Sequence, residues 1–201
     1  MALSFVPFIE PVSEDDATGA TAEMYESDIA EDGYVSNLAR AFSHAPEVMD
    51  SWGGLILSIR GRMDRRRYEL ATLAAAEELR SSYCMLAHGG VLASQFYDEQ
   101  RVVQIVADRS TADLDETDRA VMDLAAKVAA DATSVSPEDV DRLKRLGLSD
   151  GEIFDVVATS AARAFFTKVI DGLGFQPDPA YAELAPDLRD ALVVGRPIEK
   201  A

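Results

Sequence analysis

From Asp64 to Leu79 the chain holds helical spacing without a break, and inside that stretch Leu70 to Ala76 is apolar on every side except at Thr72. A helix lacking a polar face must be enclosed by other elements. Those elements are not strands: apolar and polar residues never alternate in a sustained run, whereas Ala, Leu, Glu, Asp and Arg recur at helix-like intervals. The expectation is an all-α fold with 64–79 as its central helix.

Punctuation along the chain supplies the other helices. A polar opening at Pro11 to Asp16 leads to a first helix through Glu23, Met24 and Tyr25, which Gly33 stops. Shorter helices are expected at Val35 to Phe42 and from Pro46, where proline suits the first turn, although Gly53 and Gly54 weaken the second. Arg80, Ser81 and Ser82 interrupt the pattern, and a serine there can cap a helix from Tyr83 to Phe96. Later starts are marked by Asp113 and Glu116, by Ser136 ahead of Pro137, and by Ser149 with Glu152 three residues on. The last long helix, Ile153 to Ile170, ends at Gly172 or Gly174, and Pro177 and Pro179 open an extended tail that packs over a neighbouring surface.

At 201 residues the working count is one domain, 1–201, with a motif-bearing half (about 15–110), a second half (about 111–175) and a tail (about 175–201). Asp64, Leu73, Ala74 and Ala75 return fifty-one positions later as Asp115, Leu124, Ala125 and Ala126. This points to an internal repeat of a helical unit, whose second copy carries neither cysteine nor histidine.

Charge narrows the partners. With 36 acidic against 19 basic residues and a net charge of -17, the surface repels phosphate backbones, so no nucleic acid is expected. The acids are spread along the chain, which reads as solubility rather than as a recognition tail. No Lys or Arg precedes Arg40 and no apolar run reaches spanning length, so the expectation is a cytoplasmic protein without a membrane partner. The single cysteine excludes an intrachain disulfide, and redox chemistry at Cys84 has to finish with a second molecule.

Ser81, Cys84 and His88 stand three and four residues apart, on one stripe of one helix, with the imidazole a turn beyond the thiol. A thiol in a first helical turn faces the positive end of the dipole, which lowers its pKa, and a protonated His88 would add to that. Glu69 shares a stripe with Leu73 and Ala76, which makes it a carboxylate on the buried side of the preceding helix. A hairpin through Arg80 to Ser82 can bring Glu69 alongside Cys84 and His88, where it would set the imidazole tautomer and raise its basicity.

Glu69, then Ser81-Ser82-Tyr83-Cys84, then His88 resembles the E...C-x-x-C-x-x-x-H signature of the alkylhydroperoxidase D and carboxymuconolactone decarboxylase family. His44-Ala45-Pro46, Tyr83-Cys84, Gly172-Leu173-Gly174 and Pro177-Asp178-Pro179 resemble its peroxidase-related branch. The resemblance implies an AhpD-like helical bundle, homo-oligomers (trimers or hexamers, or else a dimer), and reduction of hydroperoxides by a cysteine pair served by the glutamate and histidine. Ser81 stands where the first cysteine of that pair would be, so the intramolecular resolving step is lost. The expected activity is therefore a one-cysteine, thiol-dependent hydroperoxide reductase with catalytic Cys84, His88 and Glu69. An external thiol or dithiol, or another subunit's Cys84, would complete the cycle; no metal or organic cofactor is implied. Two alternatives stay open: a carboxymuconolactone decarboxylase-like lyase with His88 as base and Cys84 as packing, and a non-catalytic homologue. His44 reads as a turn residue, Arg65 to Arg67 as a solvated or inter-subunit face, and Phe96, Tyr97, Phe165 and Phe166 as core or subunit contacts. Zinc held by Cys84, His88, Glu69 and His44 matches no standard ligand spacing.

Overall fold

The computed structural model describes residues 7–200, and among them there are helices and turns but no strand. In chain order the helices are α1 (Ala20–Asp32), α2 (Asn37–Ala41), α3 (Pro46–Arg60), α4 (Arg65–Glu78), α5 (Ser82–Gln95), α6 (Glu99–Ala107), α7 (Glu116–Asp131), α8 (Pro137–Arg145), α9 (Asp150–Gly172) and α10 (Pro186–Leu192). No helix among the described residues is long and apolar enough to cross a membrane.

α4 is the central helix. Every residue from Tyr68 to Ala76 is buried, and the helix packs against α5, α7 and α9. Its alanines let these neighbours approach closely, while Leu70 and Leu73, almost wholly removed from water, contribute about 1.5–3 kcal/mol each. Asp64 and Asp115 cap α4 and α7 in the same way, each accepting from the backbone N–H three residues on. The start of α7 is thus set by Asp115 rather than Asp113. The likeness of the two halves goes no further: α4 is followed directly by the 14-residue α5, and α7 by a 3-10 turn and the nine-residue α8. Ser136 with Asp139 and Ser149 with Glu152 form capping boxes, Gly33 ends α1 in the left-handed region (φ 85°), and α3 runs unbroken through Gly53 and Gly54.

The turn between α4 and α5 fixes the site. Arg80 takes a left-handed conformation (φ 54°). Its N–H donates to Glu77 O and that of Ser81 to Ala76 O, which closes α4 in the way a glycine usually does. Holding a residue with a Cβ there costs about 1–2 kcal/mol. The C-terminal segment clamps this turn. Gly195 N–H donates to Ser82 Oγ at 2.8 Å, and Gly195 lies so close that a Cβ would come within 1.9 Å of the Arg80 carbonyl oxygen. That segment is only partly extended, contrary to the sequence expectation. Residues 179–183 form a 3-10 turn and Pro186 occupies the first turn of α10, the helical position that proline tolerates.

Candidate active site

α5 starts at the clamped turn, so its third residue, Cys84, lies on the inner side of the bundle with the thiol only 1% exposed. His88 follows one turn later on the same stripe, its side chain 15% exposed. From α4, the buried Glu69 reaches across the hairpin and meets His88 Nδ1 with Oε2 at 2.5 Å. A carboxylate on Nδ1 assigns the proton there and leaves Nε2 as the basic nitrogen of the ring. Ser81 precedes α5 but does not cap it with its side chain. Its buried Oγ has no hydrogen-bond partner; burial raises the pKa of both the Cys84 thiol and the Asp171 carboxyl, and Ser81 offsets only a part of each rise.

Arg163 of α9, which is not among the residues the sequence motif marks, completes the group. It is 4% exposed. Nη2 donates to the Tyr68 hydroxyl at 2.5 Å, and the guanidinium lies 5.2 Å from the centroid of the Trp52 ring and 5.8 Å from that of Tyr68. Nε has no hydrogen-bond partner. The available signal was Arg163's setting in α9: it stands between Ala162 and Ala164, a turn away from Phe166 and Thr159, where a lone cation falls on an apolar face and needs a reason to be buried.

The electrostatics correct the sequence expectation in two places. Burial pushes the Cys84 thiol above its ordinary pKa, and the Arg163 guanidinium and Ser81 offset this only in part. The dipole of α5 alone would place it below. Burial also lowers the His88 pKa, helped by the positive charge of Arg163, and the Glu69 carboxylate restores part of it. A histidine whose pKa lies under the ordinary value of about 6.5 is neutral at pH 7. The positive charge beside Cys84 is therefore Arg163, and His88 is a free base.

Cys84, His88 and Arg163 face a common pocket of about 720 Å³. One wall is apolar, with Leu38, Met49, Trp52 and Phe166; the last two rings stack at a centroid distance of 4.5 Å. The opposite wall comes from the C-terminal segment. There Tyr83 donates to Asp178, which also accepts from Asn37 N at 2.7 Å, and Tyr181 meets Tyr83 edge to face. Burial raises the pKa of both Tyr83 and Asp178, so a neutral hydroxyl donates to the carboxyl. Carboxyl groups of Asp28, Glu31, Asp32 and Glu183 complete the lining, and the last three are exposed to solvent.

The structure thus brings Glu69, Ser81, Cys84 and His88 together and leaves the other candidates elsewhere. His44 Nε2 meets Glu10 O at 2.8 Å at the surface. Arg66 and Arg67 pair with the buried Asp118 at 2.7 and 3.1 Å, a contact between α4 and α7. Phe166 is buried in the pocket wall and Phe165 is exposed. Among the described residues no three His, Cys, Asp or Glu side chains gather as a metal-ligand set.

The bundle and its hairpin define a known class, the alkylhydroperoxidase D-like fold. An uncharacterized peroxidase-related protein from Ralstonia eutropha JMP134, described as an alkylhydroperoxidase AhpD core, matches with TM-score 0.72 and 20% identity over 86% of this chain and 96% of that one. An uncharacterized peroxidase-related protein from Silicibacter sp. TM1040 matches with TM-score 0.73 and 19% identity over 91% and 96%. A cysteine-to-alanine variant of the debrominase Bmp8, in complex with 2,3,4-tribromopyrrole, matches with TM-score 0.71 and 14% identity over 94% and 97%. No protein-family model matches the chain, and no curated protein matches its sequence. At these identities the likeness establishes the fold and leaves the chemistry to the side chains.

Proposed function

We propose that the chain is a one-cysteine, thiol-dependent hydroperoxide reductase. The observation that carries the reading is the placement of the only cysteine at a pocket floor between a buried guanidinium and a neutral imidazole oriented by a carboxylate. When a hydroperoxide enters, His88 Nε2 accepts the thiol proton and Arg163 holds the thiolate. The sulfur attacks the terminal peroxide oxygen, the O–O bond breaks, and the proton held by His88 passes to the departing alkoxide. Cys84 becomes a sulfenic acid and the peroxide leaves as an alcohol. The peroxidase-related neighbours in the fold comparison support this reading.

A second reading draws on the same protonation states. A neutral His88 above a protonated thiol also suits proton transfer on a carbon acid, as in a carboxymuconolactone decarboxylase-like lyase. Cys84→Ser separates the two: it abolishes peroxide turnover if the sulfur is the nucleophile and leaves proton-transfer activity nearly intact if it is packing. Self-association belongs to the proposal as well, since Phe154 and Phe165 of α9 and Leu55 and Leu57 of α3 are exposed. Sedimentation of a monomer at micromolar concentration would remove it.

A further inference from the structure

We propose, building on the peroxidase reading, that the thiol returning Cys84 to its reduced form is a small molecule that enters the pocket, uncharged or positively charged, rather than a protein dithiol or another subunit's Cys84. With one cysteine in the chain and Ser81 at the other motif position, the sulfenic acid is resolved from outside. Resolution needs sulfur-to-sulfur bonding, and two bonded cysteines hold their Cα atoms within about 7 Å of each other. Cys84 is 1% exposed. Around it stand α4, α9 and the pocket walls built from Tyr83, Trp52, Phe166 and Tyr181. A protein cysteine would have to bring its own backbone within that distance of a residue walled in on these sides, and a second copy of this chain has its own Cys84 equally buried.

The pocket itself has room for a small thiol: about 720 Å³ falls within the range of roughly 300–1,000 Å³ usual for small-molecule sites. Its lining selects by charge. Glu31, Asp32 and Glu183 are exposed and make no ion pair among the described residues. With His88 neutral, Arg163 is the one cationic side chain of the lining among the described residues, and it is at the buried end beside the sulfur. An anionic thiol therefore passes three uncompensated carboxylates before it reaches any positive charge, whereas a cationic one is drawn in. The chemistry balances: one thiol displaces water from the sulfenic acid and forms a mixed disulfide with Cys84. A second thiol then attacks that disulfide, releasing the Cys84 thiol and a small-molecule disulfide. The two electrons taken up by the peroxide come from the two thiols.

The test oxidises the protein with one equivalent of organic hydroperoxide. It then follows recovery of the thiol by intact mass with cysteamine, 2-mercaptoethanol or 3-mercaptopropionate, or with thioredoxin, its reductase and nicotinamide cofactor. Cysteamine and 2-mercaptoethanol restore Cys84 through a detectable mixed disulfide. Compared at equal thiolate concentration, because the ammonium lowers and the carboxylate raises the reagent's own thiol pKa, 3-mercaptopropionate is slower than cysteamine by about tenfold or more at low ionic strength. The gap narrows in about 1 M salt, where charges are screened beyond ~3 Å, and in the triple variant E31Q/D32N/E183Q. Recovery with thioredoxin as fast as with the small thiols, or equal rates for the cationic and anionic thiols, overturns the proposal. A parallel series treats reduced protein with the corresponding cationic, neutral and anionic disulfides and needs no peroxide. Peroxide that leaves Cys84 unmodified removes the peroxidase reading and this proposal with it. An inverted or flat charge order in the disulfide series removes this proposal alone.

Discussion

Replacing Arg163 by methionine removes the charge that works against burial at Cys84 while keeping a side chain of similar length. The guanidinium is 4% exposed and is the largest influence lowering the thiol pKa. An opposite charge at about 4 Å in a medium of effective dielectric ~20 is attracted by about 4 kcal/mol, and a third of that already changes the thiolate population about tenfold. Arg163→Met is therefore expected to slow alkylation of Cys84 by iodoacetamide at least about tenfold at pH 7–8, where rate follows thiolate. Arg163→Lys, which retains charge but not the fork that reaches Tyr68, recovers part of the rate. Loss of the Tyr68 partner costs about 1–3 kcal/mol of stability, so circular dichroism must show both variants folded at the assay temperature. The assay is intact mass against time across pH. A folded Arg163→Met protein alkylated as fast as the parent would show that the guanidinium does not govern the sulfur.

Two further outcomes follow from the contacts of the hairpin. Glu69 raises the His88 pKa against the effects of burial and Arg163, so Glu69→Gln moves it lower still. The acid limb of peroxide turnover then shifts to lower pH, while turnover at pH 7 falls about 10–100-fold as the ring loses its orienting partner; an acid limb that moves upward contradicts the assignment. Gly195→Ala drives a Cβ into the Arg80 carbonyl, 1.9 Å away in the undisturbed backbone. It is expected to cost about 1–3 kcal/mol in thermal unfolding, and an unchanged melting temperature would mean that the C-terminal segment does not clamp the turn.

Much of this was written in local patterns. The apolar surround of Leu70 to Ala76 specified a central helix, and Ser136 and Ser149 marked helix starts that carry capping boxes. The contact of Glu69 with His88 was legible too, because two helical stripes joined by a three-residue turn have little choice of how to meet. Arg163 was not, since its approach depends on how α9 lies against α3 and α4, a tertiary fact with no local signature. The direction of the Cys84 shift is hidden from the sequence for the same reason: dipole and spacing are visible there, but burial is not, and burial is the larger effect here. The helix at Pro186 was missed because the prolines before it suggested extended chain, although proline fits the first turn of a helix equally well.

If the Cys84 sulfur receives oxygen from the peroxide, it becomes a sulfenic acid that dimedone traps. Mixing reduced protein with one equivalent of an organic hydroperoxide in the presence of dimedone, followed by peptide mass spectrometry, tests this transfer directly. A single dimedone adduct on Cys84 and consumption of the peroxide are expected. An unmodified Cys84, or the same peroxide loss from the Cys84→Ser protein, contradicts the transfer.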